Sequence, residues 1–156
     1  MVLGAENFEG LSGHTAGRQL LARLYRQAIA ADMPAIEVTS RGKPYFSHGA
    51  VHFSISHTDG VVFCVLSDRP VGIDAEKKTR TVDPALAEKL LSPAEKSRYA
   101  MAEDKNAALL RLWVLKEAYA KATGRGFGSY LSRTDFDPND PRITEQKDCY
   151  VAVIEL

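Results

Sequence analysis

The hexapeptide Val71–Glu76 reads VGIDAE and alternates apolar residues with small or acidic ones. This alternation is typical of a β-strand, in which side chains two positions apart point to the same side. Asp74 and Glu76 would therefore project two carboxylates from one face. Aspartate is uncommon in strands, so the pair indicates either a ligand site or two exposed polar positions on a half-buried strand. Gly72 removes bulk beside Asp74, which is consistent with close approach of a ligand.

A second polar cluster lies in Trp113–Lys121, which reads WVLKEAYAK and predicts a helix with Trp113 in the core. Glu117 and Lys121 are four residues apart and share a face, so the simplest interpretation is a surface ion pair. If this helix packs against the strand, three carboxylates converge and repel one another unless a cation lies between them. Oxygen ligands of this kind favour magnesium. A neighbouring lysine then indicates an anionic substrate, a phosphate above all.

Composition limits the other classes of function. The chain has 156 residues, which fits one domain or two small half-domains that share a core. Its 20 basic and 20 acidic residues cancel, so we expect no general attraction to nucleic acid or to membranes. Cys64 and Cys149 are too few for a disulfide scaffold or a zinc site. The sequence shows neither a long apolar segment nor a signal-peptide layout, and we expect a cytoplasmic protein.

Periodicity and turn residues predict mixed helices and strands along the rest of the chain. We expect residues 1–13 to be loosely ordered and residues 124–128 to form a flexible glycine loop. Predicted strands are 36–39, 51–56, 61–66, 71–77, 133–137 and 150–154, with 51–77 forming three adjacent strands through a hairpin turn at Thr58-Asp59-Gly60. Predicted helices are 15–31, 83–91, a short one that starts after Ser92, and 104–122, the longest, which ends at Gly124.

Three further polar positions have two interpretations each. Glu95 follows Ser92 by three residues, as the glutamate of a capping box does, and it is also a candidate catalytic carboxylate. His57 lies at a strand end next to a tight turn, where a polar side chain often satisfies the turn. The basic turn Arg41–Pro44 reads as a solvated connection unless it faces an anionic ligand.

The order and spacing of these segments resemble a known family. The segments are Gly42-Lys43-Pro44, Phe53-Ser54-Ile55-Ser56-His57, Gly72-Ile73-Asp74-Ala75-Glu76, and Trp113 with Lys116, Glu117, Lys121, Gly124 and Gly126. Together they resemble the 4'-phosphopantetheinyl transferases, most of all the type represented by the surfactin-synthetase activating enzyme. The likeness covers residues 14–136. It implies transfer of 4'-phosphopantetheine from coenzyme A to a serine of an acyl or peptidyl carrier protein, with release of adenosine 3',5'-bisphosphate.

The resemblance also implies roles for individual residues. The implied ligands of magnesium or manganese are Asp74, Glu76 and Glu117. The implied contacts to coenzyme A are Arg18, Lys43, Ser56, His57 and Lys121, with His57 on the 3'-phosphate and Lys121 on the pyrophosphate. The implied catalytic residues are Glu117, Lys121 and Glu95. Either glutamate would accept the serine proton through water, and we favour Glu117.

The implied fold is α+β, with two pseudo-symmetric halves that each pack a small antiparallel sheet on a long helix. The active site would lie in the cleft between halves at roughly 14–78 and 79–156. The better-known members of the group are longer at both ends, which implies an adenine pocket that is incomplete or built differently. It also leaves open whether the protein is a monomer or a small homo-oligomer. The alternative function is a non-catalytic module that binds coenzyme A or a carrier protein.

Overall fold

The computed structural model describes all residues, 1–156. The first part of the chain forms a helix and five strands: β1 (Val2–Asn7), α1 (Gly13–Ile29), β2 (Ile36–Val38), β3 (Pro44–Phe46), β4 (His52–Thr58) and β5 (Val61–Ser67). The second part forms β6 (Val71–Lys77), α2 (Ala85–Leu90), α3 (Pro93–Met101), α4 (Lys105–Thr123), a 3₁₀ helix (Ser129–Arg133), β7 (Ile143–Gln146) and β8 (Cys149–Glu155). No helix combines the length and the apolar composition needed to cross a membrane.

The predicted α+β architecture is confirmed, because each half packs a long helix on a three-stranded antiparallel sheet. The first sheet has the order β1-β5-β4 and carries α1, and the second has the order β6-β8-β7 and carries α4. Strands β2 and β3 form a separate ribbon. A third apolar cluster, formed by β5, β6 and β8, joins the two halves.

The long helices begin and end where local sequence signals place them. Ser12 caps α1 by accepting a hydrogen bond from the Thr15 amide, and Asp104 caps α4 by accepting one from Ala107. Gly124 ends α4 in the left-handed conformation, with a φ of 65°. The predicted capping box of Ser92 and Glu95 is present at the start of α3.

Two predictions about the terminal parts of the chain are wrong. Residues 1–13 are not loosely ordered throughout, because β1 pairs with β5 from Val2 to Asn7. This pairing is long-range, and the local pattern gives no sign of it. Residues 133–137 form no strand. Their backbone bonds to buried side chains and not to another strand: the Thr134 carbonyl accepts from Lys116 of α4, and the Phe136 amide donates to Glu95 of α3. The edge strand β7 was not predicted, and it joins β8 through a two-residue turn.

The three strands predicted over 51–77 form and lie next to one another, but the last of them, β6, belongs to a different sheet. The β4–β5 hairpin is present, but β6 pairs with β8, so the second sheet already starts at Val71. Strand β6 instead runs beside β4, and serine hydroxyls bridge the two strands. Ser54 Oγ accepts from the Ile73 amide at 3.1 Å, and Ser56 Oγ accepts from the Ala75 amide at 3.2 Å. This seam between the halves carries the candidate site.

Candidate functional site

Gly72 sets the distance between β6 and α4. A Cβ atom at this position would overlap the backbone carbonyl oxygen of Ala118 and the amide nitrogen of Ala122. The close approach predicted at Gly72 is therefore that of a helix backbone. Because the helix lies this close, Glu117 and Lys121 are carried over the face of β6 that presents Asp74 and Glu76.

The four predicted residues of the two elements share one pocket. Asp74, Glu76, Glu117 and Lys121 line it together with Ser56 and His57 from β4, and Trp113 lies on its α4 side. The simple surface ion pair between Glu117 and Lys121 is not formed. Lys121 Nζ lies 2.7 Å from Asp74 Oδ1, which joins α4 to β6.

Both strand carboxylates have polar partners. Ser56 Oγ donates to Asp74 Oδ1 at 3.0 Å, whereas Asp74 Oδ2 is buried without a hydrogen-bond partner. Glu76 pairs with Arg80 and accepts from Thr58 Oγ1 at 3.3 Å. Arg80 and Thr58 were not predicted as site residues. The spacing of Arg80 from Glu76 would be read as a helix pair, but the strand ends at Lys77, and a turn brings Arg80 back.

Burial and repulsion between the carboxylates change the pKa values of Glu117 and Glu76. Burial raises the pKa of Glu117 above its usual range, and the neighbouring Asp74 adds to the rise while Lys121 opposes it. Burial also raises the pKa of Glu76, with Arg80 partly opposing the rise. The negatively charged forms of these carboxylates are therefore disfavoured in free energy, and a bound cation would stabilise them.

The donor set fits a hard divalent cation, although its side chains are turned to protein partners. No group of three or more histidine, cysteine, aspartate or glutamate side chains is arranged to coordinate a metal. The fit rests on the unpartnered, buried Asp74 Oδ2 and on three carboxylates that face one pocket. The metal-ligand roles of Asp74, Glu76 and Glu117 stay a prediction.

A second pocket continues from the first past Ile55, Glu117 and Lys121. Its other walls come from the basic turn Arg41–Pro44 and from the segment that follows α4, which contributes Gly124, Gly126 and Phe127. Lys43 lies in this wall, and its Nζ donates to the Ala122 carbonyl at 2.8 Å. Burial lowers the pKa of Lys43. The basic turn thus faces a cleft between the halves. We call the two pockets together the cleft.

The other predicted positions divide between the cleft and its surroundings. His57 is exposed at the cleft, where its ring packs on Gly13 at the start of α1. Arg18 is half-buried on α1, forms no ion pair and lines neither pocket. Glu95 is fully buried and also lines neither pocket; it pairs with Lys116 at 2.7 Å. The structure thus does not bring Arg18 or Glu95 to the carboxylates of the cleft.

Comparison with known proteins supports the same family. A family model of the 4'-phosphopantetheinyl transferase superfamily matches residues 70–149, which include β6, α4 and β7. The chain is 33% identical over 125 residues to the 4'-phosphopantetheinyl transferase psf-1 of Bacillus pumilus, covering 78% of this chain and 52% of that protein. It is 36% identical over 111 residues to the 4'-phosphopantetheinyl transferase gsp of Aneurinibacillus migulanus, covering 68% and 45%.

A third relative comes from a cyanobacterium. The chain is 33% identical over 122 residues to the 4'-phosphopantetheinyl transferase HetI of Nostoc sp., covering 72% of this chain and 52% of that protein. The chain spans about half the length of the curated relatives it matches. The region that the family model matches, residues 70–149, contains β6 and α4, the two elements that carry the convergent carboxylates. With half of its length matched by the family model, the chain belongs to the 4'-phosphopantetheinyl transferase superfamily.

Proposed function

We propose that this protein transfers 4'-phosphopantetheine from coenzyme A to a serine hydroxyl of an acyl or peptidyl carrier protein. The observation that carries the proposal is the convergence of Asp74 and Glu76 from β6 with Glu117 and Lys121 from α4 in one pocket. The relatives psf-1, gsp and HetI carry the name of this activity. The proposal extends that name to a chain about half their length.

Basic side chains at the cleft suit a ligand with several phosphates. Lys121 lies where the two pockets meet, and Lys43 and His57 lie on either side of it. In the structure Lys121 is held by Asp74, and Lys43 is held by the Ala122 carbonyl in the last turn of α4. Both ammonium groups are thus fixed in position. Lys121 would bind the diphosphate of coenzyme A, and Lys43 and His57 would bind phosphate oxygens farther along the cleft.

The residues that would hold a divalent cation are Asp74, Glu76 and Glu117. When bound, magnesium would neutralise charge on the diphosphate, which phosphoryl transfer needs more than covalent help from the protein. Ser56 contributes by orienting the Asp74 carboxylate, since its hydroxyl donates to Oδ1 and leaves Oδ2 without a partner. Thr58 orients Glu76 in the same way.

The transfer requires a proton acceptor. The serine oxygen of the carrier would form a bond to the phosphorus that bears the pantetheine arm, and the bond from that phosphorus to the adenosine-side phosphate would break. The serine proton would pass through water to the Glu117 carboxylate, which lines the same pocket as Asp74 and Lys121. Lys121 would stabilise the charge on the released adenosine 3',5'-bisphosphate.

The test is a transfer assay on a panel of apo acyl and peptidyl carrier proteins, with coenzyme A and magnesium. Mass spectrometry should show one added phosphopantetheine per carrier. Asp74→Asn should lower kcat/KM by about 100-fold or more, because it removes a charge that faces the diphosphate site. Glu88→Gln is the control, since Glu88 is an exposed carboxylate on α2.

Two results would contradict the proposal. Full transfer by Asp74→Asn would place the chemistry elsewhere. Binding of coenzyme A by the unaltered protein, without modification of any carrier, would favour the alternative of a non-catalytic binding module.

A further inference from the structure

A fully buried ion pair lies in the second half, outside the cleft. Lys116 Nζ and Glu95 Oε2 are 2.7 Å apart, and both side chains are 0% exposed. Lys116 directly precedes Glu117 on α4, but it points to the other side of the helix. An ion pair removed from water gives little net stability, because desolvation of the two charges offsets their attraction. The pair is therefore expected to act on the conformation of the segments that it joins more than on overall stability.

Every polar atom of the pair has a partner, and most partners lie in one segment of backbone. The Lys116 ammonium has three protons, and it donates to Glu95, to the Leu131 carbonyl at 2.6 Å and to the Thr134 carbonyl at 2.8 Å. Glu95 Oε1 accepts from the Phe136 amide at 2.8 Å. The remaining bond, from the Ser92 amide to Glu95 Oε2, is one of the two bonds of the capping box. A capping function alone accounts for only that last bond.

The segment that the ion pair holds, residues 124–136, also forms one wall of the cleft. Residues 124–136 leave the end of α4, and Gly124, Gly126 and Phe127 face the pocket that also contains Lys43. The Tyr130 hydroxyl donates to the Gly126 carbonyl at 2.7 Å. The ion pair thus fixes residues 131–136, and Tyr130 transmits that position to the wall of the cleft.

We propose that Glu95 and Lys116 are positioning residues that hold segment 124–136, so that the wall of the coenzyme A site keeps its place. Neither side chain touches the reacting groups. The effect on coenzyme A rests on the proposed function. The effect on the segment itself does not, and this separates the two in an experiment.

The test compares Glu95→Gln, Lys116→Met and the double variant with the unaltered protein. Each single variant leaves an uncompensated buried partner and should lower Tm, whereas the double variant removes both charges and should regain most of that loss. Amide hydrogen exchange in 124–136 should nevertheless be faster by about tenfold or more in Lys116→Met and in the double variant, because the Leu131 and Thr134 carbonyls have lost their donor. Ser132→Ala, which removes an exposed bond inside the same segment, is the control.

Kinetics separate positioning from catalysis. In the double variant the KM for coenzyme A should rise about tenfold, while kcat stays within about threefold. A fall in kcat of about 100-fold for Glu95→Gln at unchanged KM would overturn the proposal and make Glu95 the base. Recovery of both exchange and KM in the double variant would also overturn it, since the pair would then serve charge balance alone. If the unaltered protein neither binds coenzyme A nor modifies a carrier, the proposed function fails, and hydrogen exchange still decides the anchoring.

Discussion

Asp74 joins the two halves at the level of a single residue. It lies on β6, accepts from Ser56 of β4 and pairs with Lys121 of α4. One of its oxygens is satisfied twice, while the other is buried with no partner. Buried polar atoms without partners are rare in folded proteins, and each calls for an explanation such as a catalytic role or a bound ion. This residue therefore carries the strongest local evidence for a ligand.

Glu117 should illustrate the same conflict between stability and function. Since its pKa is raised in the folded protein, the folded state binds a proton more tightly than the unfolded chain does. The charged form thus destabilises the fold above the folded-state pKa, and the penalty disappears as pH falls towards the ordinary carboxyl range. Glu117→Gln should stabilise the protein at neutral pH by on the order of 1 kcal/mol, or about 2–4 °C in Tm.

The measurement is a set of thermal unfolding curves for Glu117→Gln and the unaltered protein between neutral pH and the carboxyl range. The gain in Tm should shrink as pH falls, and transfer activity should be lost at every pH. Glu88→Gln, at an exposed position, should show no comparable gain. A variant that is less stable than the unaltered protein at neutral pH would contradict this account of the carboxylate cluster.

Close packing of one helix on one strand is the central feature at the level of elements. Strand β6 can support α4 at this distance only because residue 72 has no side chain, and the two carboxylates of β6 then face Glu117 and Lys121. A glycine inside a strand often marks such a backbone approach. The same glycine thus determines both the core of the second half and the geometry of the cleft.

Gly72→Ala should therefore destabilise the protein and widen the site together. The added methyl group would overlap the backbone of α4 at Ala118 and Ala122, which cannot move aside as a side chain can. We expect a loss of about 1–3 kcal/mol or more in chemical denaturation, with reduced transfer at temperatures where the variant is folded. The control is Gly128→Ala, whose Cβ would make ordinary contact with the Tyr130 ring alone, at 3.5 Å from Cδ1 and 3.7 Å from Cε1. Equal stability of the two variants would contradict the packing argument.

At the level of the whole molecule, local patterns predicted elements better than they predicted pairing. Helix caps, the hairpin and the closing strand follow from neighbouring residues. The spacing of the polar residues predicted that Asp74 and Glu76 share one face of β6 and that Glu117 and Lys121 share one face of α4, whereas the cleft between the halves was implied by the family resemblance. The pairings of β1 with β5 and of β6 with β8 join residues far apart in sequence, and no turn signals them. The route of residues 134–136 depends on side chains buried elsewhere, Glu95 and Lys116, which local reading cannot place.

The whole account depends on the two halves building one site for a divalent cation and a diphosphate. The most direct test is a crystal of the protein with coenzyme A and manganese, in which anomalous scattering locates the ion. We predict a peak within coordination distance of Asp74, Glu76 and Glu117, with the diphosphate against Lys121. A bound coenzyme A whose diphosphate lies away from these side chains, with no anomalous peak among them, would contradict the account.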